Sequence, residues 1–181
     1  MKNRLARNIS IFATGFALVV VVLGAFTRLS DAGLGCPDWP GCYGFMHIPT
    51  QQAHIEVANV AFPERPYEFA KAWPEMVHRY FAGTLGLIVL TLAVISWRSK
   101  AKLAVKHSSF LLALIIFQAA LGMWTVTMKL HPSIVMAHLM GGIMTFSLLA
   151  SLATRYHFSF NSPIKSFYTL GLSRLVVMTL A

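Results

Sequence analysis

Two histidines stand inside long apolar stretches of this sequence, each near the start of its stretch. His78 opens one stretch in EMVHRYFAGTLGLIVL, and His138 lies early in another, HPSIVMAHLMGGIMTF. Ionisable side chains inside membrane-spanning helices are costly, and they usually face a protein interior or a cofactor. At 1.5 Å of rise per residue, the two imidazoles are expected at similar depth in parallel helices. The pair therefore indicates a ligand or metal site, with hydrogen bonding to neighbouring helices as the alternative.

Small residues accompany both histidines along their helices. Gly86 follows His78 by eight positions, and Gly141 and Gly142 follow His138 by three and four. Such residues can open a flat slot between helices, although small residues also allow close helix packing in membranes. A slot with an imidazole on each side suits a planar tetrapyrrole, whose iron takes one nitrogen from each ring. Zinc would need more ligands than this pair provides, so the pattern predicts haem, with His78 and His138 as iron ligands.

Three charged residues lie close to the predicted slot. Glu75 precedes His78 by three positions, which places both on one helical face. Its carboxylate could orient the imidazole, move protons or face a bound ring; a capping role at the helix N-terminus is the alternative. Arg79 and Arg28 bring positive charge to the same level. Both suit the carboxylate groups of a tetrapyrrole, with lipid headgroups as the alternative.

Both cysteines occur in one polar segment, RLSDAGLGCPDWPGCYG. Five residues rich in proline and glycine separate Cys36 from Cys42 and favour a turn that brings the thiols together. Thiols outside the cytoplasm tend to be oxidised, so a disulfide is expected. A structural staple, a redox role and two free thiols all remain open, because the spacing is not that of a CxxC motif.

The elements that position these residues are membrane spans. The chain has 181 residues, of which 56% are hydrophobic and 12% charged, whereas soluble domains are closer to a quarter charged. A span needs about 20 apolar residues, so we expect an all-α integral membrane protein with a four-helix bundle. A fifth apolar segment, 167–181, is too short to cross and reads as a truncated helix. The four predicted spans are 9–27, 75–97, 109–127 and 133–154.

The distribution of charge predicts the orientation of these spans. All six acidic residues fall between positions 31 and 75, whereas basic residues flank the opposite ends of the spans. The positive-inside rule then makes residues 1–8 and the linker 155–166 cytoplasmic, and the loop 28–74 periplasmic. Within that loop, QQAHIEVANVAF is amphipathic and predicts a short surface helix. The net charge of +9 therefore reflects membrane topology, and the expected partner is the lipid bilayer rather than nucleic acid.

Four segments in this order resemble the haem A synthase family of cytochrome oxidase assembly. They are TRLSDAGLGCPDWPGC after the first span, EMVHR opening the second, QAALGMWTVT in the third and AHLMGG in the fourth. The resemblance implies a fold of eight transmembrane helices in two similar halves, each with a histidine pair. This chain matches the amino-terminal half, residues 9–154, and begins the fifth helix.

The resemblance also implies an activity, the oxidation of a ring methyl group of haem O to a formyl group. His78 and His138 would receive haem O, Glu75 would be catalytic, and haem b would occupy the carboxy-terminal half, outside this chain. Haem O synthase and an electron acceptor are the implied partners, in a bacterial-type inner membrane. A fragment alone would lack the electron path. The alternatives are a membrane cytochrome b that only passes electrons, and a haem-free transporter or assembly subunit with a histidine proton path.

Overall fold

The computed structural model describes residues 2–99 and 102–157, and within those ranges the regular secondary structure is helical. Part of the predicted linker and the predicted fifth helix, 167–181, lie outside the described residues. The helices are α1 (Lys2–Leu29), α2 (Gln52–Ala61), α3 (Phe69–Ser99), α4 (Lys102–Thr127) and α5 (Pro132–His157).

Four of these helices are long and apolar enough to cross a membrane, and they correspond to the four predicted spans. The chain is accordingly a multi-pass, all-α membrane protein, and α2 is the predicted short helix of the loop. Each long helix extends beyond the predicted span. The largest differences are at α1 and α4, which begin at Lys2 and Lys102 rather than at 9 and 109, and α3 begins at Phe69 rather than at 75. A helix can continue into the polar interface where a hydropathy pattern ends.

The long helices form a ring in which α1 and α4 each pack against both α3 and α5. The helices α3 and α5 therefore lie diagonally across the bundle from each other. We call the end of the bundle that carries the 30–68 loop the outer end. Side chains on the inward faces of α3 and α5 meet at the centre of the bundle, and this arrangement brings the two histidines together.

Aliphatic side chains fill the half of the bundle farther from the loop. Because lipid tails are as apolar as leucine, such contacts stabilise a membrane bundle by close packing rather than by removal of surface from water. The two histidines lie in the outer half of the bundle, beyond this inner core. Its buried members are Ala13, Ala17, Val20, Leu85, Val89, Leu92, Leu111, Leu149 and Leu152.

The outer-loop module comprises residues 30–68 together with the first two turns of α3. Its own small core contains both cysteines and Tyr43, and partly buried aromatic side chains, including Phe45, Phe62 and Tyr67, pack around it. Gly35 lies directly against the backbone of Lys71 on α3, where a Cβ atom would overlap with the main chain. The module is therefore built as a folded cap on the outer end of α3.

Candidate functional site

The imidazoles of His78 on α3 and His138 on α5 face each other across the bundle. Their ring centroids are 6.4 Å apart, with ring planes at 85°. The Nδ1 atom of each ring is buried and has no hydrogen-bond partner in the described part of the chain. The His78 ring also has a hydrogen bond to the backbone of Val20 on α1, and Nε2 of His107 on α4 lies 3.0 Å from the carbonyl oxygen of Leu148. The two convergent histidines thus retain unused ligand atoms that a purely structural histidine normally satisfies.

A glycine from a neighbouring helix faces each imidazole. A Cβ atom at Gly24 on α1 would lie 2.9 Å from Cε1 of His78, a distance that real Cβ atoms rarely reach. On the opposite side, a Cβ atom at Gly122 on α4 would lie 3.5 Å from Cε1 of His138. Both rings therefore rest on helix surfaces without side chains, and the helices α1 and α4 determine the width available to them.

The glycines that we expected beside the imidazoles contact other groups. Gly86 faces Ile115, Gly142 faces Val21, and Gly141 faces the side chain of Gln118. Residues one turn farther along the same helix are displaced from a side chain along the helix axis. Its lateral neighbours come from the adjacent helices. Gly86 and Gly142 therefore pack against aliphatic side chains, and the glycines that face the imidazoles are Gly24 and Gly122.

The separation of the two rings fits a shared metal. A metal with nitrogen ligands at about 2 Å on each side separates the imidazole centroids by roughly 6 Å, close to the observed 6.4 Å. In residues 2–99 and 102–157, no group of three or more histidine, cysteine or carboxylate side chains could hold a metal ion. The pair therefore suits a metal that brings its remaining ligands with it, as iron does in a tetrapyrrole.

Glu75 is buried, 6% exposed, and its hydrogen bonds connect it to the outer-loop module. Its Oε2 accepts hydrogen bonds from the backbone N–H groups of Leu34 at 2.9 Å and Cys36 at 3.0 Å. Its Oε1 pairs with the guanidinium group of Arg79. Because α3 begins at Phe69, Glu75 lies past the first turn, and the capping alternative is wrong.

Arg79 also connects α3 to the loop. Its Nη1 donates to the backbone carbonyl oxygens of Asp38 at 2.9 Å, Pro40 at 3.4 Å and Gly41. Arg28, by contrast, is exposed at the end of α1. The two arginines that the sequence analysis grouped therefore differ: Arg79 is engaged by the protein itself, and Arg28 is open to an anionic group.

The predicted disulfide between Cys36 and Cys42 is present. Asp38, which the sequence analysis did not single out, fixes the same ring of residues. Its two carboxylate oxygens accept hydrogen bonds from the backbone N–H groups of Tyr43 at 2.6 Å and Gly44 at 2.8 Å. An aspartate two residues after a cysteine and before a turn is the signal that could have identified this role.

A cavity of about 310 Å³ lies in the outer-loop module, away from the two histidines. Charged side chains of both signs line it, among them Asp31, Arg65 and Lys71. Tyr43 also borders the cavity, and its hydroxyl donates to the carbonyl oxygen of Pro66 at 3.2 Å. Burial, followed by the negative charge of Glu68, raises the pKa of the Tyr43 phenol. The sequence pattern gave no indication of this cavity, because residues from three separate segments form it.

Comparison with known proteins connects this geometry to a family. The family model described as cytochrome oxidase assembly protein (COX15-CtaA) matches residues 7–181. A protein of Shewanella oneidensis named Heme A synthase is 53% identical over 140 residues, which cover 77% of this chain and 42% of that protein.

Two further relatives carry the same name. The Heme A synthase of Halalkalibacterium halodurans is 32% identical over 78% of this chain and 43% of its own length. That of Shouchella clausii is 30% identical over 83% of this chain and 45% of its own length. The chain thus spans less than half the length of these curated relatives, and no solved structure matches it significantly.

Proposed function

This chain belongs to the family of cytochrome oxidase assembly proteins, and from that membership we propose that it takes part in converting haem O to haem A. The relatives named Heme A synthase support the proposal. The observation that carries it is the pair of imidazoles from diagonal helices, 6.4 Å apart, with buried and unpaired Nδ1 atoms.

His78 and His138 are the residues that would hold haem O, one from each side of the bundle. Gly24 and Gly122 keep the faces of the two rings free of side chains, and the inner aliphatic core closes the site against water from the opposite end. Bound haem O supplies the ring methyl group that is oxidised. The bundle would supply histidine ligands to the haem and a dry, apolar environment, which is the usual division of work between protein and cofactor chemistry.

The reaction requires an oxidant, and we propose an electron acceptor as a partner. With water as the oxygen source, conversion of a methyl to a formyl group releases four electrons and four protons and adds one oxygen atom. Proton release needs an acceptor near the substrate, and we assign this catalytic role to Glu75, one helical turn from His78. Its hydrogen bonds to the backbone N–H groups of Leu34 and Cys36 would hold the carboxylate in a fixed position.

The orientation in the membrane belongs to the same proposal. We propose a bacterial inner membrane, a cytoplasmic N-terminus and a periplasmic outer-loop module. Exposed Arg28 at the outer end of α1 would then lie where it can pair with the carboxylates of the substrate. Haem O synthase is the proposed source of the substrate, because haem O is too apolar to travel through water.

A membrane cytochrome b that only passes electrons is the second candidate. The histidine pair favours it, because two imidazoles that both held the iron of a bound haem would leave no ligand position on that iron for a reactant. An electron carrier would not require a proton acceptor, so this function leaves Glu75 without a role in the reaction. An electron carrier would keep its haem unchanged through repeated oxidation and reduction, whereas a synthase would change the ring substituent.

Pigment extraction tests the proposal. The gene that encodes this chain is expressed in cells that make haem O but no haem A, and the extracted haems are separated by chromatography. We expect haem A with the wild-type protein and only haem O with His78→Ala or His138→Ala. Binding of haem O without any haem A in the wild-type cells would favour the electron carrier.

Glu75→Ala separates binding from conversion in the same cells. We expect this variant to keep haem O and to produce no haem A, because the change removes the proton acceptor but neither ligand. Production of haem A at the wild-type rate would end the catalytic assignment of Glu75 while leaving the histidine site intact.

A further inference from the structure

We infer that the Gln118 carboxamide recognises a neutral oxygen substituent of the haem bound between His78 and His138. The substituent that fits is the hydroxyl group on the alkyl side chain of haem O. This inference rests on the proposed function, since it concerns the substrate of the same site. It assigns to Gln118 the role of distinguishing haem O from haems that lack the hydroxyl.

Gln118 lies at the boundary between the histidine site and the inner core. It is 8% exposed, and it precedes Gly122 by one turn on the same face of α4. Gly122 in turn faces the imidazole of His138. The carboxamide contacts α5 inside the bundle. Gln118 lies four residues, about 6 Å along α4, farther from the outer end than Gly122 and the imidazole that it faces.

The nitrogen of this carboxamide has no partner. Gln118 Nε2 is buried and makes no hydrogen bond among the described residues. It lies against Gly141 on α5, where a Cβ atom would overlap with the amide. A buried amide without a hydrogen bond is unfavourable, and the hydrocarbon region of a membrane offers no water to satisfy it.

Other polar residues of α4 do make hydrogen bonds. Ser108 donates to the carbonyl oxygen of Ala104 at 2.8 Å, and Thr125 donates to that of Gly122 at 2.7 Å. Gln118 is therefore an exception on its own helix, and the other unpaired buried side-chain atoms of the bundle centre are the Nδ1 atoms of the two histidines. The three unused groups lie at adjacent levels of the bundle, since Gln118 contacts Gly141 and stands one turn from Gly122, which faces His138; this arrangement indicates a shared ligand.

The chemistry of a carboxamide limits what the ligand can offer. A neutral group that both donates and accepts matches a hydroxyl, or the oxygen of a formyl group. A carboxylate would instead be matched by a cation, and the arginines of this site stand at the outer end, with Arg28 on α1 and Arg79 on α3. The side-chain hydroxyl of the substrate and the formyl oxygen of the product share the required chemistry, and binding measurements separate them.

Haem titrations of the full chain, purified in detergent, test the inference. Wild-type protein, Gln118→Met and the control Ser108→Ala are titrated with haem B, haem O and haem A, and binding is followed by visible absorbance. Methionine keeps the length and removes the hydrogen bond. We expect the preference for haem O over haem B to fall about 5- to 10-fold in Gln118→Met, and to stay unchanged in Ser108→Ala.

Thermal unfolding, measured with and without haem O, distinguishes a role in haem recognition from a purely structural role of Gln118. The haem-free Gln118→Met protein should be at least as stable as the wild type, because it loses an unpaired buried amide, while stabilisation by haem O decreases. If Gln118→Met does not fold, Gln118→Asn, which withdraws the amide by one methylene, should show the same loss of preference. An effect confined to haem A identifies the formyl oxygen as the partner.

Two results would overturn the inference. An unchanged preference in a folded variant at position 118, with the wild type still binding haem O, rejects the role of Gln118 alone. Absence of binding of any haem by the wild-type chain rejects the proposed function, and the inference fails with it.

Discussion

The centre of the bundle and the outer-loop module differ in how their buried polar groups are paired. At the centre, the Nδ1 atoms of His78 and His138 and the amide nitrogen of Gln118 are buried without partners among the described residues. In the module, the Tyr67 hydroxyl lacks a partner in the same way, but both oxygens of Glu75 and both oxygens of Asp38 accept hydrogen bonds or an ion pair. A folded protein normally satisfies its buried polar groups. The centre therefore has the character of a site built for a ligand, and the module that of a cap held rigid by its own contacts.

The largest expected effect is the loss of haem from the bundle centre. His78→Ala or His138→Ala should abolish haem binding, because each removes one of two axial ligands, and the Soret absorbance of the purified protein measures the result. His107→Ala is the matched control, since this histidine already has a partner in the carbonyl oxygen of Leu148. A normal haem content in either single variant would contradict the interpretation of the bundle centre as a haem site formed by both histidines.

Loss of Glu75 should be the largest effect on the outer-loop module. Glu75→Ala leaves the buried guanidinium group of Arg79 without its counter-charge and two N–H groups without an acceptor, a change that costs about 3–5 kcal/mol. Hydrogen exchange of the 30–45 backbone measures the local opening. Glu68→Ala is the control, because its pair with Lys71 is exposed and contributes less than about 1 kcal/mol.

Gly24→Ala tests whether α1 determines the width of the haem site. The new methyl group would press on Cε1 of His78, and overpacking of this kind costs about 1–3 kcal/mol, so haem affinity should fall about 10-fold. Gly15→Ala on the same helix has no heavy atom within 4 Å of the new Cβ and should leave the affinity unchanged. Equal effects of the two substitutions would mean that the contact with His78 is unimportant.

Replacement of both cysteines by serine should have a smaller effect than Glu75→Ala. The disulfide closes a short ring and restricts the unfolded module, which corresponds to about 2 kcal/mol, while the contacts of Asp38 and Arg79 with the same ring remain. Haem A production in the pigment assay should persist at a reduced level. A complete loss would contradict the staple interpretation and favour a redox role for Cys36 and Cys42.

The smallest effect concerns the free energy of unfolding of the outer-loop module at alkaline pH. Burial raises the pKa of Tyr43 above its ordinary value of 10.0, so the folded state holds the phenolic proton more tightly than the unfolded state. The stabilisation is therefore fully present below pH 10.0 and is lost as the pH rises through the higher folded value. Ultraviolet titration of wild type against Tyr43→Phe isolates this group; a phenolate that forms at its ordinary pKa would argue against a buried hydroxyl.

Much of the fold could be predicted from local patterns. Four apolar stretches of sufficient length identified the spans, and the short distance between Cys36 and Cys42, with proline and glycine between them, predicted the disulfide. The helical step of three residues from Glu75 to His78 correctly placed both on α3. Each of these properties is contained within one segment of the chain, so one sequence is enough to reveal it.

Contacts between segments were decided only by the tertiary structure. Helical periodicity indicates which residues share a face, but it does not indicate which neighbour that face meets, because the rotation and pairing of helices depend on packing along their whole length. For this reason the sequence identified both histidines but did not show that Gly24 and Gly122 face them. For the same reason the hydrogen bonds of Glu75 to the backbone of the cysteine loop became evident only in the structure. The candidate functional residues were evident in the sequence. The groups that each of them contacts depend on how the helices pack against one another.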